Sequence, residues 1–263
     1  MNQKPSVPTK IIKRSPKWYG WLPDIPDRRD FLYAAVAPRL AQLPRKVDLR
    51  SKCSPVEDQG ALGSCTANAL IGAVEFLEKK DTFVDLSRLF VYYNERVIEG
   101  TADQDSGAFL RDGIKSLAKQ GVCPEKQWPY RIASFKKKPT RTCYTAARKH
   151  RISSYRRINL VDEMRTCLAD GFPFVFGFAV YESFESRAVA KSGVVDMPGP
   201  REPMVGGHAV MAVGYDDVAQ RFTARNSWGT DWGIKGYFTI PYDYLGSRDL
   251  ADDFWTIRAS EEG

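Results

Sequence analysis

Asp58-Gln59-Gly60-Ala61-Leu62-Gly63-Ser64-Cys65-Thr66-Ala67-Asn68-Ala69-Leu70 joins a glycine-punctuated loop to an apolar run, with a cysteine at the junction. Ala67, Leu70, Ile71, Val74 and Leu77 recur at helical spacing, and Ala73 and Phe76 widen the apolar face. Glu78, Lys79 and Lys80 close the run; lysines suit the negative end of a helix dipole. The pattern predicts a core helix with Cys65 at or near its N-terminus. Unpaired N–H groups and the dipole favour the thiolate there, and the thiolate is the nucleophile. The same stretch also fits a structural cysteine on a core helix, because free thiols are among the most buried side chains. The rest of the chain decides between the two.

With 263 residues the chain suits one large domain or two packed lobes. At 43% hydrophobic and 12% aromatic it can bury a core, which argues against global disorder. No apolar run approaches the ~20 residues of a membrane span, so no membrane partner is expected. Met1 to Lys17 is polar and basic, without the apolar region of a secretory signal, and the expected location is cytoplasmic. Five cysteines (Cys53, Cys65, Cys123, Cys143 and Cys167) make an odd count, which suits a reducing compartment or a reactive thiol. No C-x-x-C or H-x-x-x-H spacing suggests zinc. The net charge of +7 lies wholly in residues 1–46, where ten Lys/Arg face three Asp; the remaining 29 bases and 29 acids balance. A basic arm can meet nucleic acid, an anionic surface or an acidic groove. Without a nucleic-acid-binding signature, a solvated extension is the favoured reading.

Residues 1–17 read as flexible. Trp18 to Tyr33 is not ordinary linker: Pro23, Pro26 and Gly20 forbid a long helix, yet Trp18, Trp21, Phe31 and Tyr33 need a surface. The segment is expected to lie extended on the body, and Ala34 to Leu43 to form a short helix. Ser87 is placed to cap a helix through Glu99, with Leu89, Phe90, Tyr93 and Val97 on one face. A further helix is expected from Ala108 to Lys119, stopped by Gly121. Leu160 to Ala169 suits a short helix. Strand-like runs follow at Phe172 to Val180, Ala209 to Tyr215, Arg221 to Asn226, Gly236 to Ile240 and Phe254 to Ile257. Helices first and strands later predict an α+β chain of two lobes, the second curled like a barrel, with a cleft between them.

A cysteine nucleophile needs a base, and the chain has two histidines. His150 sits among Arg148, Lys149 and Arg151. His208 follows Gly206-Gly207 and opens an apolar strand, where it can face a cysteine on the other lobe. Alone it would read as a core histidine; paired with Cys65 it reads as the base. In Asn226-Ser227-Trp228-Gly229-Thr230-Asp231-Trp232-Gly233 the Asn carbonyl can accept from one imidazole nitrogen and leave the other for sulfur. Trp228 can cover that hydrogen bond. Gln59 offers an amide N–H for an oxyanion beside the Cys65 backbone N–H.

These residues, in the order Gln59, Gly63-Ser64-Cys65, Gly207-His208-Ala209-Val210 and Asn226-Ser227-Trp228-Gly229, resemble the papain family of cysteine peptidases. Val47-Asp48-Leu49-Arg50 resembles the mature start of such enzymes, and residues 18–33 the segment that precedes the body in bacterial members. The resemblance implies an α+β, papain-like two-lobed fold. An N-terminal arm over residues 1–43 precedes a peptidase domain over 44–263, mainly helical to about 132 and mainly β thereafter. It implies Cys65, His208, Asn226 and Gln59 as catalytic residues. Cys65 attacks the peptide carbonyl as a thiolate paired with imidazolium, and an acyl-enzyme thioester is then hydrolysed. No metal or cofactor is required, and the substrate is a protein or peptide. Asp105-Ser106-Gly107-Ala108 resembles the family's strand-like substrate wall, so Ser106 and Gly107, with Gly207 and Trp228, are the candidate substrate-binding residues. Three departures stand out: Thr66 follows the nucleophile in place of an aromatic, Leu62 replaces a disulfide cysteine, and Gly207 replaces a carboxylate found in papain.

The favoured reading is an endopeptidase whose own N-terminal segment packs on the body and partly covers the cleft. A cysteine amidase or acyltransferase acting on non-protein or isopeptide bonds would share this chemistry, and substrate profiling separates them. A catalytically idle papain-like binding protein is the reading from another class; retention of Gln59, Cys65, His208 and Asn226 argues against it.

Overall fold

The computed structural model describes residues 19–38, 42–78 and 83–259. In chain order its elements are β1 (Trp21–Leu22), β2 (Lys46–Asp48), α1 (Cys65–Glu78), α2 (Arg88–Glu99), β3 (Ala108–Phe109), α3 (Leu110–Lys119), α4 (Arg141–Ala147), β4 (Ile152–Arg157), α5 (Val161–Ala169), β5 (Phe174–Tyr181), α6 (Arg187–Ser192), β6 (Met204–Asp216), β7 (Arg221–Arg225), β8 (Tyr237–Pro241), α7 (Tyr242–Gly246) and β9 (Ala251–Ala259). Residues 1–17, expected to be flexible, lie outside the described residues. The helix expected over 34–43 is a 3-10 turn at Tyr33–Ala35 that does not continue through 38; residues 39–41 again lie outside.

Helix α1 starts at Cys65, and every residue from there to Phe76 is buried. A one-sided apolar stripe would not need that. Here α2 and α3 pack on one side of α1 and β6 on the other. The polar residues on α1 are each given a partner, as burial requires. Thr66 donates to Glu95 Oε2 at 2.9 Å, and Asn68 Oδ1 accepts from Arg88 at 3.1 Å. Glu75 accepts from Ser54 at 2.6 Å and from the Leu86 N–H at 3.0 Å. Helix α2 is capped as its sequence predicts: Ser87 Oγ accepts from the Phe90 N–H at 3.1 Å, and Gly100 closes the other end at φ 74°.

The second half forms one antiparallel sheet in the order β4-β9-β5-β6-β7-β8, with β2 paired to the far end of β6. β4 and β8 stand at opposite ends of this path, so the described strands make an open sheet and not a closed barrel. Strand β5 is flanked by β9 and β6, which explains its unbroken apolar sequence. Its Phe174, Phe176 and Phe178 are fully buried and pack with Phe222, Phe238 and Phe254. A separate two-stranded pair, β1 with β3, runs parallel. Among the described residues no helix is long and apolar enough to cross a membrane.

Phe176 stacks on Phe254 at 5.8 Å between ring centroids. Phe176→Ala leaves a cavity at the centre of the sheet and should destabilise the protein by about 3–5 kcal/mol. Urea unfolding of both proteins measures it; a loss below 1 kcal/mol would show that the site collapses freely.

Candidate active site

The loop before Cys65 is fixed from several directions. Gln59 N–H donates to Ser227 O at 2.9 Å, and the Gly63 N–H to Asp105 Oδ1 at 3.0 Å. Ser64 Oγ and Tyr130 Oη lie 2.5 Å apart, and Tyr130 Oη donates to Gln59 O at 2.9 Å. Gln59 itself is buried. Its Oε1 accepts from Ser227 Oγ at 2.6 Å, and its Nε2 donates to Leu62 O at 2.9 Å. An amide nitrogen carries two hydrogens, so the side chain of Gln59 is oriented by neighbours on both lobes.

His208 and Asn226 come from β6 and from the residue just after β7. His208 Nε2 and Asn226 Oδ1 are 2.8 Å apart, and Oδ1 also accepts from the Ser227 N–H at 2.8 Å. Two donors on one atom identify it as the carbonyl oxygen. Nε2 therefore carries the hydrogen, and Nδ1 is the basic nitrogen. The Trp228 ring lies over this pair, 4.9 Å from the imidazole centroid at 30°. Ala209, next after His208, turns its backbone N–H to the Cys65 thiol, so β6 passes the start of α1 where it carries His208.

Residues 19–22 occupy the cleft. Trp21 and Leu22 pair with Ala108 and Phe109, and the Ala108 N–H donates to Gly20 O at 2.7 Å. The Gly20 N–H meets the Cys65 thiol. Gly20 lies so close to Gly63 that a Cβ there would overlap the Gly63 carbonyl. Gly177 and Gly207 make room for Trp21: a Cβ on Gly177 would overlap the indole, and one on Gly207 would fall 2.7 Å from Trp21 O. Gly107 has φ 74°, a conformation only glycine adopts freely, and its missing Cβ admits Gly20. Its N–H is donated to Tyr92 Oη at 3.3 Å, and Ser106 Oγ turns to Thr101 at 2.9 Å. Of Ser106, Gly107 and Ala108 it is thus Ala108 that offers its N–H to the segment in the cleft. His150 stands apart, its Nδ1 2.7 Å from Glu78 Oε2.

Two buried carboxyls anchor this segment. Asp253 Oδ2 accepts from Trp21 Nε1 at 3.0 Å and from the Asp24 N–H at 2.7 Å. Asp24 accepts from Trp255 Nε1 at 3.0 Å and from the Arg111 N–H at 3.2 Å. Arg111 pairs with Asp30 at 2.6 Å, and Arg157 with Asp253 at 3.0 Å. Burial, and then the nearby Asp253, raise Asp24 to about 7.

Burial also pushes the Cys65 thiol up to about 11, against the N–H groups of Ala209, Gly20 and Thr66, which lower it. The helix-terminus expectation of a ready thiolate is not met in this state. The thiol does sit at the first residue of α1, but the segment across it excludes the water that a thiolate needs. Thr66 donates to Glu95, whose carboxyl burial holds well above the usual range.

Sequence reasoning missed Asp253 and Gly177. A glycine inside the apolar run of β5 was the available signal for Gly177, since strand glycines mark close approaches.

Residues 43–253 match the papain family cysteine protease family, and the chain belongs to that family of cysteine peptidases. Xylellain, a cysteine protease from Xylella fastidiosa, has a similar structure: 45% identity and a TM-score of 0.85, covering 95% of this chain and 99% of that one. An uncharacterized peptidase C1-like protein of Acanthamoeba polyphaga mimivirus is 41% identical, over 95% of this chain and 88% of its own length. Chymopapain of Carica papaya is 31% identical over 81% of this chain; the chain spans 58% of its length.

Two titrations follow. Alkylation of Cys65 by iodoacetamide in the full chain should rise with pH toward a midpoint near 11. The midpoint should fall in Trp21→Ala, where water returns; equal midpoints would exclude burial as the cause. Asp24, with its raised pKa, contributes stability that is fully present below about 4 and is lost as pH rises through about 7. Asp24→Asn stays uncharged, so its Tm relative to wild type should rise between pH 5 and 8. A constant difference would remove Asp24 from the titration.

Proposed function

We propose that the protein is a cysteine endopeptidase whose N-terminal segment holds it inactive by lying in the cleft. Cys65 is the nucleophile, and His208, held by Asn226, is the base. The Cys65 N–H and the Gln59 amide receive the oxyanion. His208 takes the thiol proton from Cys65 and returns it to the leaving amine, and water then hydrolyses the thioester. The observation that carries the reading is the extended segment itself, which passes Cys65 and continues on both sides of it. A cleft that accommodates chain on both sides suits cleavage within a chain.

The direction of the segment supports inhibition. A substrate must put its leaving amine beside His208 and its acyl part on the far side of Cys65. In a substrate the acyl residue comes first in sequence. Here Tyr19 lies beside His208, with ring centroids 6.2 Å apart, and Gly20, at the Cys65 thiol, comes after it in sequence. The segment therefore runs against the substrate direction. Its Gly20 carbonyl is turned to Ala108, and the sulfur meets an N–H instead of a carbonyl carbon.

Cleavage of fluorogenic peptides by the full chain tests both parts. Cys65→Ala should lose activity by about 10^4-fold or more. Trp21→Ala removes the indole that anchors the segment and should raise activity more than about tenfold, since losing a buried Trp costs about 3–5 kcal/mol. Cleavage that survives Cys65→Ala would refute the nucleophile. Unchanged activity in a folded Trp21→Ala would refute inhibition by the segment.

A further inference from the structure

Two of the five thiols meet each other. Cys123 follows α3 and Cys143 lies on α4; both are buried, and their side chains are within hydrogen-bonding reach. Cys143 Sγ also lies 3.1 Å from Thr140 Oγ1 and 3.6 Å from Gln127 O. The other thiols meet different groups. Cys53 Sγ is 3.7 Å from Leu49 O, Cys167 Sγ is 3.5 Å from Phe172 O, and Cys65 faces backbone N–H groups.

The backbone sets this approach. Gly121 turns the chain out of α3 at φ 78°, and a Cβ there would overlap the carbonyl of Ala147, the last residue of α4. The Val122 N–H donates to His150 O at 3.1 Å, just beyond α4. Cys123 is pinned from the other side, its carbonyl accepting from the Ser87 N–H at 2.9 Å. Two cysteines already brought together need little backbone movement to be bridged.

Between them the chain makes an excursion that carries Tyr130. Tyr130 Oη touches Ser64 and Gln59, and Ser87 Oγ donates to Trp128 O at 2.5 Å. The excursion thus braces the loop before Cys65.

We propose that Cys123 and Cys143 are a disulfide site: a low-molecular-weight disulfide such as oxidised glutathione converts the two thiols into a cross-link that closes the excursion carrying Tyr130. The Cys143 thiolate attacks one sulfur of the oxidant and expels one glutathione thiolate. The Cys123 thiolate then attacks the Cys143 sulfur, the protein S–S bond forms, and the second glutathione thiolate leaves. The two protons lost by the protein thiols go to the two glutathione thiolates. The protein sulfurs lose two electrons, and the glutathione disulfide gains them. Arg141, Thr142 and Thr145 on α4 are exposed, and a helix of seven residues opens locally before the core does, which admits the oxidant.

The test refolds the full chain from urea in a mixture of oxidised and reduced glutathione, where every thiol meets the oxidant. Remaining thiols are blocked with N-ethylmaleimide, and tryptic peptides are read by mass spectrometry. The expected bridge joins the peptide of residues 120–126 to that of residues 142–148, with Cys65 alkylated. Protein that was never unfolded, held in the same mixture, should reach the same linkage more slowly, and it decides the question if the refolded chain aggregates. The cross-link closes a loop of about 20 residues, so the Tm should exceed that of dithiothreitol-treated protein by about 5 °C or more. Cys143→Ser should remove this difference. Native protein without the linkage, or with bridges spread over other cysteines, would overturn the proposal. A linked protein whose Tm is no higher than the reduced one would also overturn it, since the bond would then be foreign to the native geometry.

Discussion

The packing of helix α1 on strand β6 is the contact on which the rest of the molecule depends. One element carries the Cys65 thiol and the other the His208 imidazole, so any slip between them separates the two groups. The contact is held by polar groups as well as by burial. Arg225 on β7 donates to Ser54 Oγ at 3.0 Å, and Ser54 donates to Glu75 on α1. Gly72 leaves the room this guanidinium needs: a Cβ there would lie 2.6 Å from Arg225 Nη1. Gln59 and Ser227 add a second tie next to the site, through side chain and backbone. Buried charged groups cost stability unless their partners are in place, and these residues fix one arrangement of the two lobes.

Three influences meet at Cys65. Helix position and nearby N–H groups favour the thiolate, and desolvation opposes it. Desolvation wins while Gly20 lies over the sulfur. The same segment brings its own electrostatics. Asp24 and Asp253 are buried side by side, with Arg157 facing Asp253 and Arg111 linking Asp24 to Asp30. The segment that lies over the Cys65 thiol is thus tied to a carboxyl pair several residues along the chain from Gly20, through a two-residue strand and one indole N–H.

Much of this could be read in the sequence, for physical reasons. Helix α1 was legible because a continuous apolar run cannot be accommodated otherwise, and α2 because Ser87 and Gly100 mark its ends. His208 stood out because only one other histidine competes with it, and Asn226 because a turn gives no other reason for an Asn there. The docking of Trp21 followed from aromatic side chains beside prolines. Harder to see were features set by register and long-range pairing. Strand β4 is polar and carries no strand signal in its sequence; it is the edge strand beside β9, where alternation is weak. That Ala108 and not Gly107 offers its N–H depends on a one-residue register. Asp253 is an acidic residue in ordinary surroundings of sequence, and its partners Trp21 and Asp24 come from the far end of the chain.

The occupant of the cleft is joined to the body by peptide bonds. Its effective concentration at Cys65 is therefore set by the tether, on the order of millimolar for a short flexible one. Diluting the protein does not empty the cleft, and a free ligand competes only on terms the tether fixes. A single break in the chain between β1 and β2 would change the order of the equilibrium. Occupancy would then depend on how much of the released piece remains nearby, and in a large volume the piece would not return.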